Sequence, residues 1–313
     1  MRMALAMLAA ASACGDNLPP KQTQPTEYTA AHSGSIVATA DAVYVVNADS
    51  DSVSVIDAHA RSLTAEIVLA GSRPALAADG SFTPAVQPRA LALSPDGTTL
   101  YVTGERSGLL YAIDTATHDV RSVAVGSEPV GVAVTPDGAT VFVACSQDDK
   151  VVAVDAAKLA VSASIAVPSE PWGLAWSPAD RALLVTHLLT PAVTSIDPAA
   201  RSVTATWAIP DMQPRGDKRL AHGEVRGLYD VAARPGSEEL WVAHVMLGTD
   251  TAQPDLDFES TVFPSLSILR AGGAYHTTLS TDVLALAGID GSFGDIVSGP
   301  HAIAFTADGA LAL

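Results

Sequence analysis

The sequence predicts an all-β protein made of repeated four-stranded antiparallel units, and three observations support this fold class. A Ser-Pro-Asp-Gly turn at 94–97 recurs as Thr-Pro-Asp-Gly at 135–138, and decayed copies follow at 177–180, 234–236 and 306–309. An apolar strand follows each turn, and no segment between the strands shows convincing helical periodicity. Four short strands in every ~41 residues is the spacing of a β-propeller blade.

The elements of each unit follow from local residue chemistry. Pro fixes φ, Asp caps its own backbone and Gly accepts a positive φ, so Pro-Asp-Gly closes a tight turn. Alternating β-branched runs on either side of the turn predict strands. A third strand ends in Asp at four positions along the chain: Asp57, Asp114, Asp155 and Asp197.

The repeat divides the chain into about five blades and the start of a sixth. In order, we expect blade one at 33–74, an insertion to 87, blade two at 88–128, blade three at 129–170, blade four at 171–210, an insertion at 211–226, blade five at 227–298 with an excursion at 246–260, and a first strand and turn at 300–313. An open ring leaves strand edges exposed. We therefore expect the propeller at 33–313 to be incomplete, with C-terminal sequence missing.

Composition excludes a nucleic-acid-binding protein and sets the character of the core. The 313 residues contain 17 Lys and Arg against 34 Asp and Glu, a net charge of −17. That charge repels phosphate backbones and no basic stripe offsets it, which excludes a nucleic-acid partner. Hydrophobic residues make up 48% of the chain and aromatic residues 5%, so the core must consist of Val, Ile, Leu and Ala.

The first residues predict export. Arg2 precedes an apolar run at 3–11 that is about half the length of a membrane-spanning helix. Ala11-Ser12-Ala13 fits ordinary secretory cleavage, and Cys14 directly after it resembles the lipid-modified cysteine of a bacterial lipoprotein signal, although such signals usually carry a larger apolar residue than Ala11. We thus expect an export signal at 1–13, a tether at 14–32, and a periplasmic or outer-membrane lipoprotein held by its lipid anchor, or else a secreted protein.

Two strands identify a family resemblance. Tyr101-Val102-Thr103-Gly104 and Tyr44-Val45-Val46-Asn47 resemble the repeat that names the YVTN β-propellers, and the residues at 94–98 resemble its preceding turn. The repeated residues build any such blade, whereas function lies in loops that differ between blades. The resemblance implies a binding or interaction module. Such a module holds a protein partner or small ligand at its funnel, the central channel that the blades surround, or at the loops of blades four and five.

Two other functions remain open at this stage. The segments 240–244 and 258–264 are similar to exported bacterial propellers joined to a C-terminal di-haem cytochrome c peroxidase-like domain. That similarity implies haem c bound to sequence beyond residue 313, because these residues contain no Cys-x-x-Cys-His motif and therefore predict no cofactor of their own. A lactonase-like hydrolase on the same architecture is a weaker alternative, since no catalytic motif is recognisable and no acid/base pair can be placed.

One position that recurs from blade to blade predicts a binding site at the funnel. Aligned blades place Arg89, Trp172, Tyr229 and His301 directly after the residue that opens the innermost strand, where blade three has a valine. Small residues follow these positions, except that Asp230 follows in blade five. Varied large side chains at one ring position can assemble a pocket from repeats. The alternative is that Trp172 and Tyr229 only pack blade against blade.

The insertions supply further candidates. His222 and Glu224 lie in the first insertion, and Asp255 and Asp257 lie in the second. Loops of this length in compact domains are usually functional or disordered. Asp255, Asp257 and Glu259 offer oxygen ligands for calcium, but they lack a complete calcium-loop pattern.

The remaining histidines and cysteine predict structural roles. His187 and His244 share one repeat position at the end of the second strand. A catalytic zinc usually needs three protein ligands. We therefore favour polar strand ends over a metal site and predict no metal. Cys145 sits in an apolar strand and is predicted to be a small buried residue.

Overall fold

The computed structural model describes residues 34–75, 78–79, 82–214, 220–248, 262–280, 300–306 and 308–312. These residues form five four-stranded antiparallel sheets, each with its strands in chain order. The strands are, in blade one, β1 (Ile36–Ala38), β2 (Ala42–Asn47), β3 (Ser52–Asp57) and β4 (Ser62–Val68); in blade two, β5 (Pro88–Leu93), β6 (Thr99–Gly104), β7 (Leu109–Asp114) and β8 (Val120–Ala124); in blade three, β9 (Pro129–Val134), β10 (Thr140–Cys145), β11 (Lys150–Asp155) and β12 (Ala160–Ala166); in blade four, β13 (Pro171–Ser177), β14 (Ala182–His187), β15 (Ala192–Asp197) and β16 (Ser202–Ala208); in blade five, β17 (Glu224–Ala233), β18 (Glu239–Leu247), β19 (Val262–Arg270) and β20 (Tyr275–Ser280). The predicted fold class is confirmed.

The Pro-Asp-Gly turns form as the sequence predicts. Gly97 and Gly138 have φ values of 73° and 70°, in the left-handed region that favours glycine. The hydroxyls of Ser94 and Thr135 each donate to the Asp carboxylate two residues later, at 2.6 Å. Each turn therefore closes through its own side chains, which explains why the motif recurs between the first and second strands.

The innermost strands of successive blades pack side by side around the funnel. Glycine allows this close approach. A Cβ atom on Gly131 would collide with the carbonyl oxygen of Trp172 in the next blade. A Cβ atom on Gly173 would lie 2.9 Å from the carbonyl oxygen of Tyr229. The small residues that the sequence shows at this position therefore set the spacing between blades.

The core lies between neighbouring blades and has the predicted aliphatic character. One buried cluster joins blades one and two, another joins blades two and three, and two more join blades three to four and four to five. Phe142 and Phe263 are the fully buried phenylalanines of the described core. Cys145 is fully buried at the end of β10, as predicted.

Blade five departs from its predicted boundaries. β17 begins at Glu224 rather than at 227, because Glu224 to Arg226 pair with Val245 to Leu247 of the long strand β18. A register shift between Arg226 and Asp230 then accommodates the extra residues. The last part of the predicted insertion is therefore strand.

The segment 300–306 lies against blade five. Ile303 packs with Ala232 and Ala243, and Phe305 forms an isolated bridge to Ala312. The export signal and the tether with Cys14 lie outside the described residues, as do residues 249–260 of the predicted excursion, with Asp255, Asp257 and Glu259. The predicted start of the excursion at 246 is wrong, because Met246 and Leu247 belong to β18. No helix among the residues that the structure describes is long and apolar enough to cross a membrane.

Candidate functional site

The two faces of the propeller carry different structures. The innermost strands begin on one face, which we call the funnel face, and the Pro-Asp-Gly turns lie on the other, which we call the turn face. Arg89 lies near the start of β5 and Trp172 near the start of β13, both at the funnel face. Tyr229 occupies the equivalent position in β17, and His301 lies in the segment against blade five.

The four predicted funnel side chains form two pairs. The guanidinium carbon of Arg89 lies 4.7 Å from the centroid of the Trp172 ring. The rings of Tyr229 and His301 have centroids 4.5 Å apart and are inclined at 58°. Arg89 and His301 are exposed, and Trp172 and Tyr229 are half-buried. The rings are therefore within reach of a ligand at the funnel face.

The Arg89–Trp172 pair reaches over blade three. Arg89 belongs to blade two and Trp172 to blade four, and between them blade three has the small side chain of Val130, which is 2% exposed. Trp172 packs against the cluster that contains Val130. Both side chains therefore extend across the same part of the funnel face, and a cation over an indole is a favourable contact.

Glu105 adds a carboxyl group beside this pair. Its Oε2 lies 3.8 Å from Nη1 of Arg89. Burial raises the pKa of Glu105, the charge of Arg89 opposes that rise, and the charge of Glu128 reinforces it. The funnel face thus offers aromatic rings with one cation and nearby carboxyl groups, an arrangement suited to recognising a ligand by contact and charge.

Asp230 lies inside the wall of the funnel rather than on its surface. It is 2% exposed. Its Oδ1 accepts a hydrogen bond from the backbone N–H of Val231, and its Oδ2 accepts one from Ile303, both at 2.9 Å. Burial raises the pKa of Asp230 to about 8, and the two hydrogen bonds oppose that rise. Asp230 therefore ties blade five to the segment 300–306.

The described part of the first insertion separates its two predicted residues. His222 is 1% exposed, its Nδ1 lies 2.7 Å from the carbonyl oxygen of Leu220, and its ring centroid lies 5.1 Å from that of Phe263. Glu224 is exposed and forms an ion pair with Arg226 at 2.6 Å. A ligand at this surface would therefore meet Glu224 and Arg226, and His222 belongs to the packing of blade five.

His187 and His244 occupy equivalent positions and bond to hydroxyls on the neighbouring strand. Nε2 of His187 lies 2.8 Å from Oγ1 of Thr194, and Nε2 of His244 lies 2.8 Å from Oγ of Ser267. Burial lowers the pKa of each histidine to about 4, so both are neutral at pH 7. Within the described ranges, no group of three or more His, Cys, Asp or Glu side chains could hold a metal ion.

The turn face carries a groove that the sequence did not predict. This cavity has a volume of about 900 Å³ and is lined by blades three and four, with Trp176, Arg181, Arg201 and Trp207 among its residues. Two of the four tryptophans of the chain line it. Their presence in blade four alone, at strand positions where other blades carry smaller residues, was the available signal.

Comparison with known proteins supports the fold. No family model matches the chain, and no curated protein matches its sequence significantly. The solved structure of Kuenenia stuttgartiensis hydrazine synthase is similar at 22% identity and a TM-score of 0.69, over 87% of this chain and 69% of that one. At this level of identity, the similarity concerns the architecture of the chain. The chain is a β-propeller.

Two further solved structures share this architecture at lower identity. The dihydro-haem d1 dehydrogenase NirN, in complex with DHE, is 15% identical with a TM-score of 0.52, over 87% of this chain and 49% of that one. A chain of the mitotic checkpoint complex is 16% identical with a TM-score of 0.53, over 76% of this chain and 63% of that one. Propellers with such different names confirm that the architecture alone does not assign an activity.

Proposed function

We propose that this protein is an exported, lipid-anchored β-propeller of the YVTN type that acts as a binding module at its funnel face. The observation that carries the proposal is the pair of contacts Arg89–Trp172 and Tyr229–His301, which hold four large side chains at one mouth of the ring. These side chains come from separate blades and remain accessible. A site assembled from repeats in this way needs no catalytic group.

The charge of the molecule indicates the kind of ligand. A net charge of −17 disfavours an anion, and the carboxyl groups near Arg89 add to that effect. The half-buried rings of Trp172 and Tyr229 favour a neutral ligand or a cation-rich protein partner that makes aromatic contacts. Arg89 and Arg226 supply local positive charge for individual polar contacts.

Photo-crosslinking tests this proposal. A benzophenone amino acid placed at His301 in the full-length protein should give a discrete crosslinked product in the cell envelope, and Trp172→Ala should reduce it about tenfold. Leu63, which is 60% exposed on the outer strand β4, gives the matched control position. Identical products from positions 301 and 63, or a product unchanged by Trp172→Ala, would contradict a funnel-face site.

Membrane anchoring depends on Cys14. Stable anchoring needs more than one acyl chain, and a lipoprotein cysteine carries several. We expect Cys14→Ser to move the protein from the membrane fraction to the soluble periplasmic or secreted fraction, as measured by immunoblotting. If the variant remains in the membrane fraction, the protein has no lipid anchor at this residue.

A redox protein is the second candidate function. The observation that favours it is the resemblance of blade five to propellers joined to di-haem domains, together with two structural neighbours named hydrazine synthase and dihydro-haem d1 dehydrogenase. In this case the propeller would position a haem domain encoded beyond residue 313. A haem stain of the product of the complete gene separates the candidates, because a binding module would not stain.

A further inference from the structure

The turn-face groove is a concave surface that shares no lining residue with the funnel-face site. It lies between the Pro-Asp-Gly turn of blade three, at 135–137, and the two turns of blade four, at 180–182 and 197–201. Its volume of about 900 Å³ falls in the range of small-molecule sites. The groove is therefore large enough for a ligand of several rings.

Two half-buried indoles line this groove. Trp176 lies near the end of β13, and Trp207 lies in β16. The hairpin between β19 and β20 holds Trp207 in place: a Cβ atom on Gly273 would overlap its ring, and Gly272 donates its backbone N–H to Oδ1 of Asp180 at 2.7 Å. The groove therefore contains aromatic surface that is fixed before any ligand binds.

The polar lining provides both donors and acceptors. Arg181 and Arg201 are exposed, and across the described chain neither guanidinium lies within 4 Å of a carboxylate. Arg201 donates to the carbonyl oxygen of Ser162 at 3.2 Å. Asp137 and Asp197 use Oδ1 to accept backbone N–H groups of their own turns. Guanidinium donors and carboxylate acceptors thus stand beside the indoles.

The formal charges of this lining almost cancel. Two arginines stand against Asp137, Asp180 and Asp197. A strongly charged ligand of either sign would meet like charges there. A pyranose chain presents apolar ring faces for the indoles and hydroxyl groups that both donate and accept. This combination matches the groove better than a flat apolar molecule or an ion does.

We propose that the turn-face groove binds a neutral oligosaccharide, with Trp176 and Trp207 packing on sugar rings and Arg181 and Arg201 donating to hydroxyl groups. The site is independent of the funnel-face module, since the two surfaces lie on opposite faces of the ring. An exported propeller would then hold a glycan on one face and its partner on the other.

Calorimetric titration with defined tetrasaccharides tests the proposal. The probes are chitotetraose, cellotetraose and maltotetraose, with tetragalacturonate as the acidic comparison. At least one neutral probe should bind, and Trp176→Ala should weaken it about tenfold, a loss of ~1.4 kcal/mol. Trp176→Phe, which keeps an aromatic face, should retain most of the affinity, so a folding defect is distinguishable from a lost contact.

Trp241→Ala is the matched control, because Trp241 is also half-buried but packs edge-on against Phe305 and lines neither the groove nor the funnel-face site. Its titration should equal that of the unchanged protein. Three results would overturn the proposal: no neutral probe binds at about 10 mM, only tetragalacturonate binds, or Trp241→Ala weakens binding as much as Trp176→Ala does. None of these outcomes depends on whether the funnel face binds a partner.

Discussion

At the scale of single residues, one side-chain pair recurs in every blade with different chemistry. The residue at the end of the second strand faces, diagonally across the sheet, a residue of the third strand. In blade order these pairs are Asn47–Ser54, Gly104–Tyr111, Cys145–Val152, His187–Thr194 and His244–Ser267. A hydroxyl faces each polar side chain, a large ring faces the glycine, and an aliphatic side chain faces the thiol. The two histidines are therefore members of a packing series.

The pair in blade two offers a direct test of this complementarity. A Cβ atom on Gly104 would lie 2.9 Å from Cε2 of Tyr111 and 2.8 Å from Cγ1 of Val86. Gly104→Asn should therefore lower the free energy of unfolding by about 1–3 kcal/mol. Gly104→Asn with Tyr111→Ser reproduces the blade-one pair, and the double variant should be more stable than the sum of the single effects by at least ~0.5 kcal/mol in urea unfolding. Additive effects would show that the two residues do not constrain each other.

At the scale of elements, the turns and strands were predictable because they depend on local chemistry. Gly97 and Gly138 take the positive φ that Pro-Asp-Gly requires, and the strands on either side alternate as expected. The prediction was wrong for the start of blade five. β17 reaches back to Glu224 because a distant partner, the long strand β18, supplies the hydrogen bonds. A boundary set by a strand about twenty residues away leaves no local signal.

The candidate sites also have a part that the sequence predicts and a part that depends on distant contacts. The ring position of Arg89, Trp172, Tyr229 and His301 was visible in the repeat, since alignment of blades brings equivalent positions together. The cation–π pair was not, because it spans an intervening blade. The turn-face groove could not be predicted either. It combines turns from two blades with a hairpin of a third that holds Trp207.

The turn element itself carries a stability prediction. Gly138 has a φ of 70°, so a β-branched side chain there is strained even though a Cβ atom has space, with Pro95 Cδ at 3.4 Å. Gly138→Val should cost about 1–3 kcal/mol in urea unfolding. Gly71→Val is the control, because a Cβ atom on Gly71 meets nothing within 4 Å and its φ is not positive. Equal losses in the two variants would mean that the left-handed turn does not limit stability.

At the scale of the whole molecule, two buried histidines and a buried aspartate change the stability of the fold with pH in opposite directions. His187 and His244 are held neutral, with pKa values lowered to about 4 by burial. Asp230 is held protonated over much of the neutral range, with its pKa raised to about 8 by burial. Turn carboxylates such as Asp114 and Asp137 have lowered pKa values because they accept hydrogen bonds, so their contribution is lost only as the solution becomes strongly acidic.

These three groups predict an optimum of stability near pH 6.5. As pH falls from 6.5 towards 4, the unfolded chain protonates both histidines and the folded chain does not, so each lowers the free energy of unfolding by about 1.4 kcal/mol per pH unit. As pH rises from 4 towards 8, the unfolded chain ionises Asp230 and the folded chain does not, which lowers that free energy by the same amount per unit. Below pH 6.5, the effect of the two histidines outweighs the opposite effect of Asp230, so the free energy of unfolding falls as the pH falls. Above pH 6.5, the effect of Asp230 outweighs that of the histidines, so the free energy of unfolding falls as the pH rises.

Urea unfolding at pH 5, 6.5 and 8 measures this profile. The unchanged protein should be most stable at pH 6.5 and lose about 1 kcal/mol by pH 8, because the last deprotonation of the two histidines in the unfolded chain offsets part of the Asp230 loss. His187→Asn with His244→Asn, which places at both positions the residue that blade one has at Asn47, should remove the loss on the acid side. Asp230→Asn should remove the loss on the alkaline side, whatever its absolute stability, because the slope depends only on titration. Stability that rises steadily from pH 5 through pH 8 would show that Asp230 is ionised in the folded propeller.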